Sequence, residues 1–321
     1  MTGYRRHVVY ALAAAISIAW GSGDAVRAQT PFLRGQSIQP VYEGWEKNPD
    51  GTISMVFGYM NRNFEEAPYI PVGGDNAFEP GPQDRGQPTH FDTRRQSFVF
   101  RVTLPDDWGS KDLVWTVNHN GHANTAIGSL MPHWVIDEGV WRANRGSGIT
   151  GRTASDYLGN TPPTAAIVGP LTLHVRTGES VTLTATATDD GRPGPKPKPT
   201  SRAGGEGGSP AKVILSNPDL PTMGGNHSGA ASGTGGPTDQ NIVRVSTAYE
   251  TGLAITWRLY RGPGKVVFAP RATPIKPGGQ ATTTVQFSEP GTYVIRAVAD
   301  DSAYTSGADV TVVVTPAASM N

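Results

Sequence analysis

The chain has 321 residues, with 27 Lys plus Arg against 27 Asp plus Glu, so it carries no net field for steering nucleic acid or an anionic membrane. It has no cysteine, which excludes thiol nucleophiles, iron–sulfur clusters, thiolate zinc sites and a lipid anchor through an N-terminal Cys. Without disulfides, the fold must rest on its apolar core.

The first residues, "MTGYRRHVVYALAAAISIAWGSGDAVRAQT", have the layout of an export signal. Arg5 and Arg6 form a basic start, Val8 to Trp20 an apolar run, and Val26-Arg27-Ala28 a small-residue cleavage site. The run is shorter than the roughly 20 residues a membrane-spanning helix needs. These features predict a signal peptide over 1–28, a secreted or periplasmic protein, and no membrane insertion after cleavage. Loss of Arg5, Arg6, Arg27 and Asp24 with the signal leaves the mature chain slightly acidic.

Beyond the signal, no long segment carries apolar residues at helical spacing. Short alternating runs broken by Gly, Pro, Asn and Asp predict an all-β chain. The first group opens with "PVYEGWEKNPDGTISMVFGYMNRN", in which "NPDG" is a turn with Pro preset at its second position. The strand after it places Ile53, Met55, Phe57 and Tyr59 on one face. A Pro/Gly-rich passage over 67–88 reads as too irregular for a strand. "RRQSFVFRVTLP" alternates again, with Phe98, Phe100, Val102 and Leu104 on one face, and "DDWGSKD" turns the chain into Leu113, Trp115 and Val117. Together these predict an N-terminal β-rich domain over 36–145. Its aromatics (Tyr42, Trp45, Phe57, Tyr59, Trp108, Trp115) are assigned to the core, since large aromatic side chains dominate burial. Two or three of them on an outer face would instead offer stacking platforms for sugar rings. Strand parity puts Tyr42 and Trp45 on opposite faces.

"RGSGITGRTASDYLGN" has linker composition, and the linker is placed at 146–160. A second strand group follows, in which Val181, Leu183, Ala185 and Ala187 face one way and threonines the other, as in a half-buried strand. It is interrupted by an insertion at 191–250, so rich in Gly and Pro that it cannot bury enough apolar surface to offset its ordering entropy. The insertion is expected to be disordered.

The pieces "NTPPTAAI", "GESVTLTATATDDG", "ITWRLYRGPGKVVF", "FSEPGTYVIRAVADDS" and the closing "VTVVV" resemble, in order and spacing, a bacterial PKD-like domain, an immunoglobulin-type β-sandwich, over 161–316. The "WDFGDG"-like segment of the best-known members is replaced by "TWRLYRGPG". The resemblance implies adhesion, spacing or carbohydrate association outside the cell; it does not imply catalysis. The residues give the same fold independently: Trp257, flanked by Ile255 and Leu259, fills the centre between two sheets. Tyr293, after Pro290-Gly291, stands where such a sandwich places a tyrosine corner. The N-terminal group resembles exported bacterial proteins of no assigned activity. The expected architecture is two β-sandwich, immunoglobulin-like domains, the second carrying the insertion.

Two clusters are candidate sites. In "HNGH", Asn-Gly predicts a type I′ hairpin turn, leaving His119 and His122 opposed with Cβ atoms about 5 Å apart. With His90 or His133 they would supply imidazoles for zinc or copper, as in a metal-assisted hydrolase. The simpler reading, a polar hairpin tip, is preferred. Asp189-Asp190 and Asp300-Asp301 end two strands whose following loops emerge at one pole of such a sandwich. Four carboxylates there would suit calcium, which takes about 6–8 oxygen ligands; Asp is also simply favoured where strands turn. No GxSxG elbow or phosphate loop occurs. "GNHSG" places His227 and Ser228 inside the insertion, and the adjacent pairs Glu65-Glu66 and Asp106-Asp107 point apart on an extended chain. No residue is assigned a catalytic role. The expected function is an exported, non-catalytic binding, adhesion or spacer protein, with carbohydrate or envelope protein as partner and calcium as the one conceivable cofactor. A metal-assisted hydrolase and a subunit of an envelope assembly are the alternatives.

Overall fold

In the first sandwich, β1 (Ile38–Lys47), β2 (Ile53–Asn61) and β4 (Arg94–Leu104) form one sheet in the order β1-β2-β4. β3 (Asn76–Glu79), β5 (Leu113–His119) and β6 (His122–Gly128) form the other, in the order β3-β5-β6. Between them lies a core of Met55, Phe57, Phe78, Phe91, Phe100 and Trp115 with their neighbours. The computed structural model describes residues 32–137, 139–141, 154–195, 214–215, 244–245, 248 and 251–317. The expected signal peptide, most of the expected linker, His227, Ser228 and nearly all of the Gly/Pro-rich insertion lie outside these residues. A short parallel pair within the insertion, β10 (Ile214–Leu215) with β11 (Arg244–Val245), is described.

Three local departures correct the alternation read from the sequence, and each has a backbone cause. The β1–β2 register shifts between Tyr42 and Gly44, so Glu43 is an extra residue. A bulge of this kind reverses parity beyond it, and both Tyr42 and Trp45 now pack toward the first core. In β4 the register jumps from Phe100 opposite Phe57 to Gln96 opposite Tyr59. Phe98, at φ 53, is thereby thrown out of the face holding Phe100, Val102 and Leu104, and it joins Val56, Ile136 and Trp141 in a separate cluster. The Glu43 carboxylate pins this irregularity: it accepts two bonds of 2.7 Å from Arg95 and the Phe98 N–H at 3.2 Å. The third departure is β3 itself, which lies inside the passage read as strandless. What orders that passage is buried amide chemistry rather than apolar pattern. Asn76 donates to the Ile70 and Pro88 carbonyls and accepts from Trp115 Nε1, while Asn61 and Gln87 staple neighbouring turns in the same way. A buried amide with its bonds filled fixes a loop that has no ladder of its own.

The second sandwich pairs a sheet β14-β12-β16-β17-β8 with a sheet β13-β15-β9-β7. The first is built from β8 (Thr172–Arg176), β12 (Ala254–Arg261), β14 (Ala272–Pro274), β16 (Gly291–Asp300) and β17 (Thr305–Thr315). The second is built from β7 (Thr164–Val168), β9 (Ser180–Thr188), β13 (Val266–Ala269) and β15 (Gln280–Phe287). Trp257 is fully buried at the centre with Ile255, Leu259, Ile295 and Val312, and Leu183, Ala185 and Ala187 face it from β9. The Tyr293 hydroxyl donates to the Glu289 carbonyl at 2.8 Å, the tyrosine-corner bond expected from its position.

The described residues from Leu33 onward belong to one compact unit, because the sandwiches share core. Tyr260, on β12, packs into the aromatic core of the first sandwich. Successive residues of the strand alternate faces, so Leu259 serves the second core while Tyr260 serves the first. One cooperative unfolding transition is therefore expected in calorimetry, and Tyr260→Ala should lower stability by about 3–5 kcal/mol, the usual cost of removing a buried aromatic ring. Two separated transitions in the unmodified chain would contradict the shared core. Gly58→Ala should likewise lower the melting temperature, since a Cβ there collides with the Glu43 carboxylate and the Gln96 carbonyl.

Candidate functional site

The "HNGH" hairpin forms as expected: His119 pairs with His122, and Asn120 and Gly121 both adopt positive φ, 53 and 75. His119 Nε2 lies 3.3 Å from Glu66 Oε1 but makes no well-aligned hydrogen bond. The other Glu66 oxygen accepts the Gly35 N–H. His122 is exposed at the turn. His90 sits elsewhere, 3.6 Å from Asp92, and His133 lies in an exposed turn against the Trp134 ring. The four histidines are thus not drawn together. Among the described residues, no group of three or more His, Asp or Glu side chains is gathered so as to hold a metal ion.

The carboxylate pairs at the loop pole are joined through the residues that lead into β7. Asn160 Nδ2 donates to Asp301 at 3.1 Å, and the next residue, Thr161, donates its N–H and hydroxyl to Asp190. Each carboxylate also caps its own turn. Asp189 accepts the Gly191 N–H, Asp190 that of Arg192, Asp300 that of Ser302, and Asp301 those of Ala303 and Tyr304, both at 2.6 Å. This is the local bonding for which Asp is favoured in turns; one Asp189 oxygen, Oδ1, is buried without a hydrogen-bond partner. Burial pushes the Asp301 carboxyl up to about 7 despite these donors, which pull the other way. Burial also raises Asp189, with the neighbouring Asp190 adding to the effect.

The most elaborate polar arrangement joins the two sandwiches, and sequence reading missed it. β12 and β16 place Arg258 directly opposite Arg296, and β17 places Asp309 opposite Arg296. Arg296 holds Asp309 through two bonds of 2.7 and 2.8 Å, donates to the Val99 carbonyl at 3.0 Å, and lies 3.5 Å over the Tyr260 ring. Arg258 donates to Gln96, Arg261 grips Asp84 with two nitrogens, and the Tyr260 hydroxyl donates to the Gly86 carbonyl. The Tyr260 carbonyl accepts the N–H groups of Thr89 and His90. Asp92 is enclosed here. Burial alone would raise its carboxyl, but the His90 imidazole and the Arg271 and Arg258 charges outweigh it and hold Asp92 below the usual carboxylate range. A second strut runs from Phe98 stacked on Trp141, at 4.1 Å, to Tyr304 on the far side of Trp141. The available sequence signal was "WRLYR", where parity sends Arg258 and Tyr260 outward; an outward Tyr between arginines needs something to lie against.

The aromatics assigned to the core are there: Tyr42, Phe57, Tyr59, Trp108 and Trp115 are buried, and Trp45 is half-buried. Trp134, not singled out from the sequence, is 40% exposed.

No protein-family model matches the chain, and no curated protein sequence does. Solved structures with some likeness include domains 4 and 5 of the S-layer protein SbsC, at 10% identity over 64% of this chain and 66% of that one, TM-score 0.22. Others are fibronectin(III)-like modules of Clostridium thermocellum CbhA, at 10% identity over 87% and 95%, TM-score 0.22, and the D00–D0 domain of intimin, at 11% over 86% and 100%, TM-score 0.23. Likenesses of this size carry no argument about activity. The class rests on the chain's own strands: β7, β9, β15 and β13 in one sheet and β12, β16 and β17 in the other give the ABED and CFG sheets of an immunoglobulin-like sandwich. Among the described residues, no helix is long and apolar enough to cross a membrane.

The raised Asp301 carboxyl fixes the sign of a pH effect. Its folded pKa lies above the ordinary 3.8, so the stability it contributes is complete below pH 4 and is lost as pH rises toward about 7. Asp301→Asn should flatten that part of the stability profile, by roughly 1 kcal/mol per pH unit, in urea titrations run between pH 4 and 8. An unchanged slope would mean the carboxyl does not titrate in that window.

Proposed function

We propose that the chain is an exported, non-catalytic binding or spacer protein of the cell envelope or extracellular space. Its parts are a signal peptide over 1–28, domains over 36–145 and 161–316, and a linker over 146–160. The second domain is assigned to the PKD-like group on the strength of the sequence pieces quoted above. One observation supports this reading most: the face of β12 and β16 that a free sandwich would show to solvent is committed to the joint, through Tyr260, Arg296 and Asp92. Buried polar bonds are spent on holding two β-bodies at one angle. That is what a protein needs if it is to present loops at a fixed separation, and interdomain contacts are otherwise small and mobile by default. Carbohydrate or another envelope protein is the partner class, met by loops at the ends of the sandwiches rather than by a deep cavity.

Two measurements test the reading. Cell fractionation should recover the chain outside the cytoplasm beginning at Gln29, with a version lacking 1–28 retained inside; uncleaved chain in the cytoplasm overturns export. Small-angle scattering should fit a single arrangement of the two sandwiches, while Arg296→Ala, which leaves Asp309 and Tyr260 uncovered, should broaden the pair-distance distribution within the molecule. A distribution already broad in the unmodified protein overturns the spacer role.

A further inference from the structure

The outer face of the sheet β13-β15-β9-β7 differs from every other broad surface of the second sandwich. Its outward positions read Thr, Ala, Val along β7; Ser and then four Thr along β9; Val, Ala along β13; and Gln, Thr, Thr, Gln along β15. None is charged. The opposite sheet turns outward Arg258 and Arg296, which bond to Gln96 and Val99 of the first sandwich, and Asp309, which stays exposed beside Arg296. On the uncharged face the threonines stand in register, with Thr184 beside Thr282 and Thr182 beside Thr284. Charges appear only past its ends, at Glu179, Lys265 and Asp189.

We propose that this face is where a second copy of the chain docks, sheet against sheet, about a twofold axis. Three properties select that occupant. In a twofold interface the same patch meets itself, so a charge near the axis confronts its own image, and like charges brought together out of water are costly. A face without charge meets that demand. Its polar groups are also self-complementary. A hydroxyl both donates and accepts, as does an amide, so an identical face satisfies them; the Thr184 and Thr282 hydroxyls already bond at 3.2 Å with either as donor. β-branched side chains lose little rotamer freedom on contact, and exposed Val267 and Val168 at the two flanks add apolar area. A neutral polysaccharide is less well served, because the face has no aromatic ring on which a sugar would stack.

Size sets the strength. The four strands, of five, nine, four and eight residues, at about 3.3 Å per residue and about 4.8 Å between strands, present roughly 400 Å² per copy. The total of roughly 800 Å² falls below the range of stable specific interfaces and within that of weak, transient ones. The dimer is therefore weak and dissociates on dilution. Its existence does not depend on the spacer reading, and its test is separate from export.

Sedimentation velocity of the mature chain over a concentration series should show a reversible monomer–dimer equilibrium. Thr282→Lys places like charges across the axis and should weaken the dimer by roughly tenfold or more, with an unchanged melting temperature. Mixing Thr282→Lys with Thr282→Glu should restore association, which only a face that meets itself predicts. Val267→Lys, on an edge strand, repeats the test should Thr282→Lys fail to fold. A chain that stays monomeric throughout, a dimer indifferent to these substitutions, or a monomer that binds insoluble neutral polysaccharide until Thr282→Lys abolishes it would each overturn the proposal.

Discussion

Arg296 is held on four sides: by the Asp309 carboxylate, the Val99 carbonyl, the face of Tyr260, and the strand neighbours that fix its stem. A guanidinium is more weakly hydrated than an ammonium and its planar fork suits bonding and stacking together, so it can be taken out of water where both are supplied. Tyr260 is the other half of this arrangement. Its ring completes the aromatic core of the first sandwich while its carbonyl and hydroxyl tie down the segment from Gly86 to His90. The sheets of the first sandwich have three strands each, and Tyr260 adds buried aromatic area to the small core between them.

The same contact accounts for the irregular strands. The bulge in β4 that expels Phe98 brings Val99 and Gln96 to the joint, where their polar groups receive Arg296 and Arg258. Phe98 in turn reaches Trp141 and, through it, Tyr304 at the loop pole of the second sandwich. A positive φ at a non-glycine residue is maintained only where surroundings over-determine it; here Glu43 holds the Phe98 N–H and the Trp141 ring holds its side chain. At the loop pole, Asp301 organises a turn from inside the protein, and Asn160 and Thr161 tie the start of β7 to both aspartate pairs. These carboxylates are structural ties in the observed arrangement.

The sequence determined a good deal. Alternation in "SVTLTATAT" and "QATTTVQF", the central Trp257 and the corner Tyr293 specified the second sandwich, because period-two burial and corner hydrogen bonding are local consequences of residue order. The Asn-Gly turn between His119 and His122 was equally plain. Tertiary structure decided the rest. Parity counting failed at Glu43 and Phe98 because a bulge reverses every side chain beyond it, and no single residue announces one. The strand Asn76–Glu79 was hidden because its order comes from buried amides of Asn76 and Gln87, which no apolar pattern reports, and from Trp115, 39 residues along the chain. The joint was invisible for the same reason: Gln96 and Arg258 are separated by 162 residues, and Asp84 and Arg261 by 177. Hydrophobic periodicity reports which side of a strand is buried. Which distant partner buries it depends on contacts that no local pattern encodes.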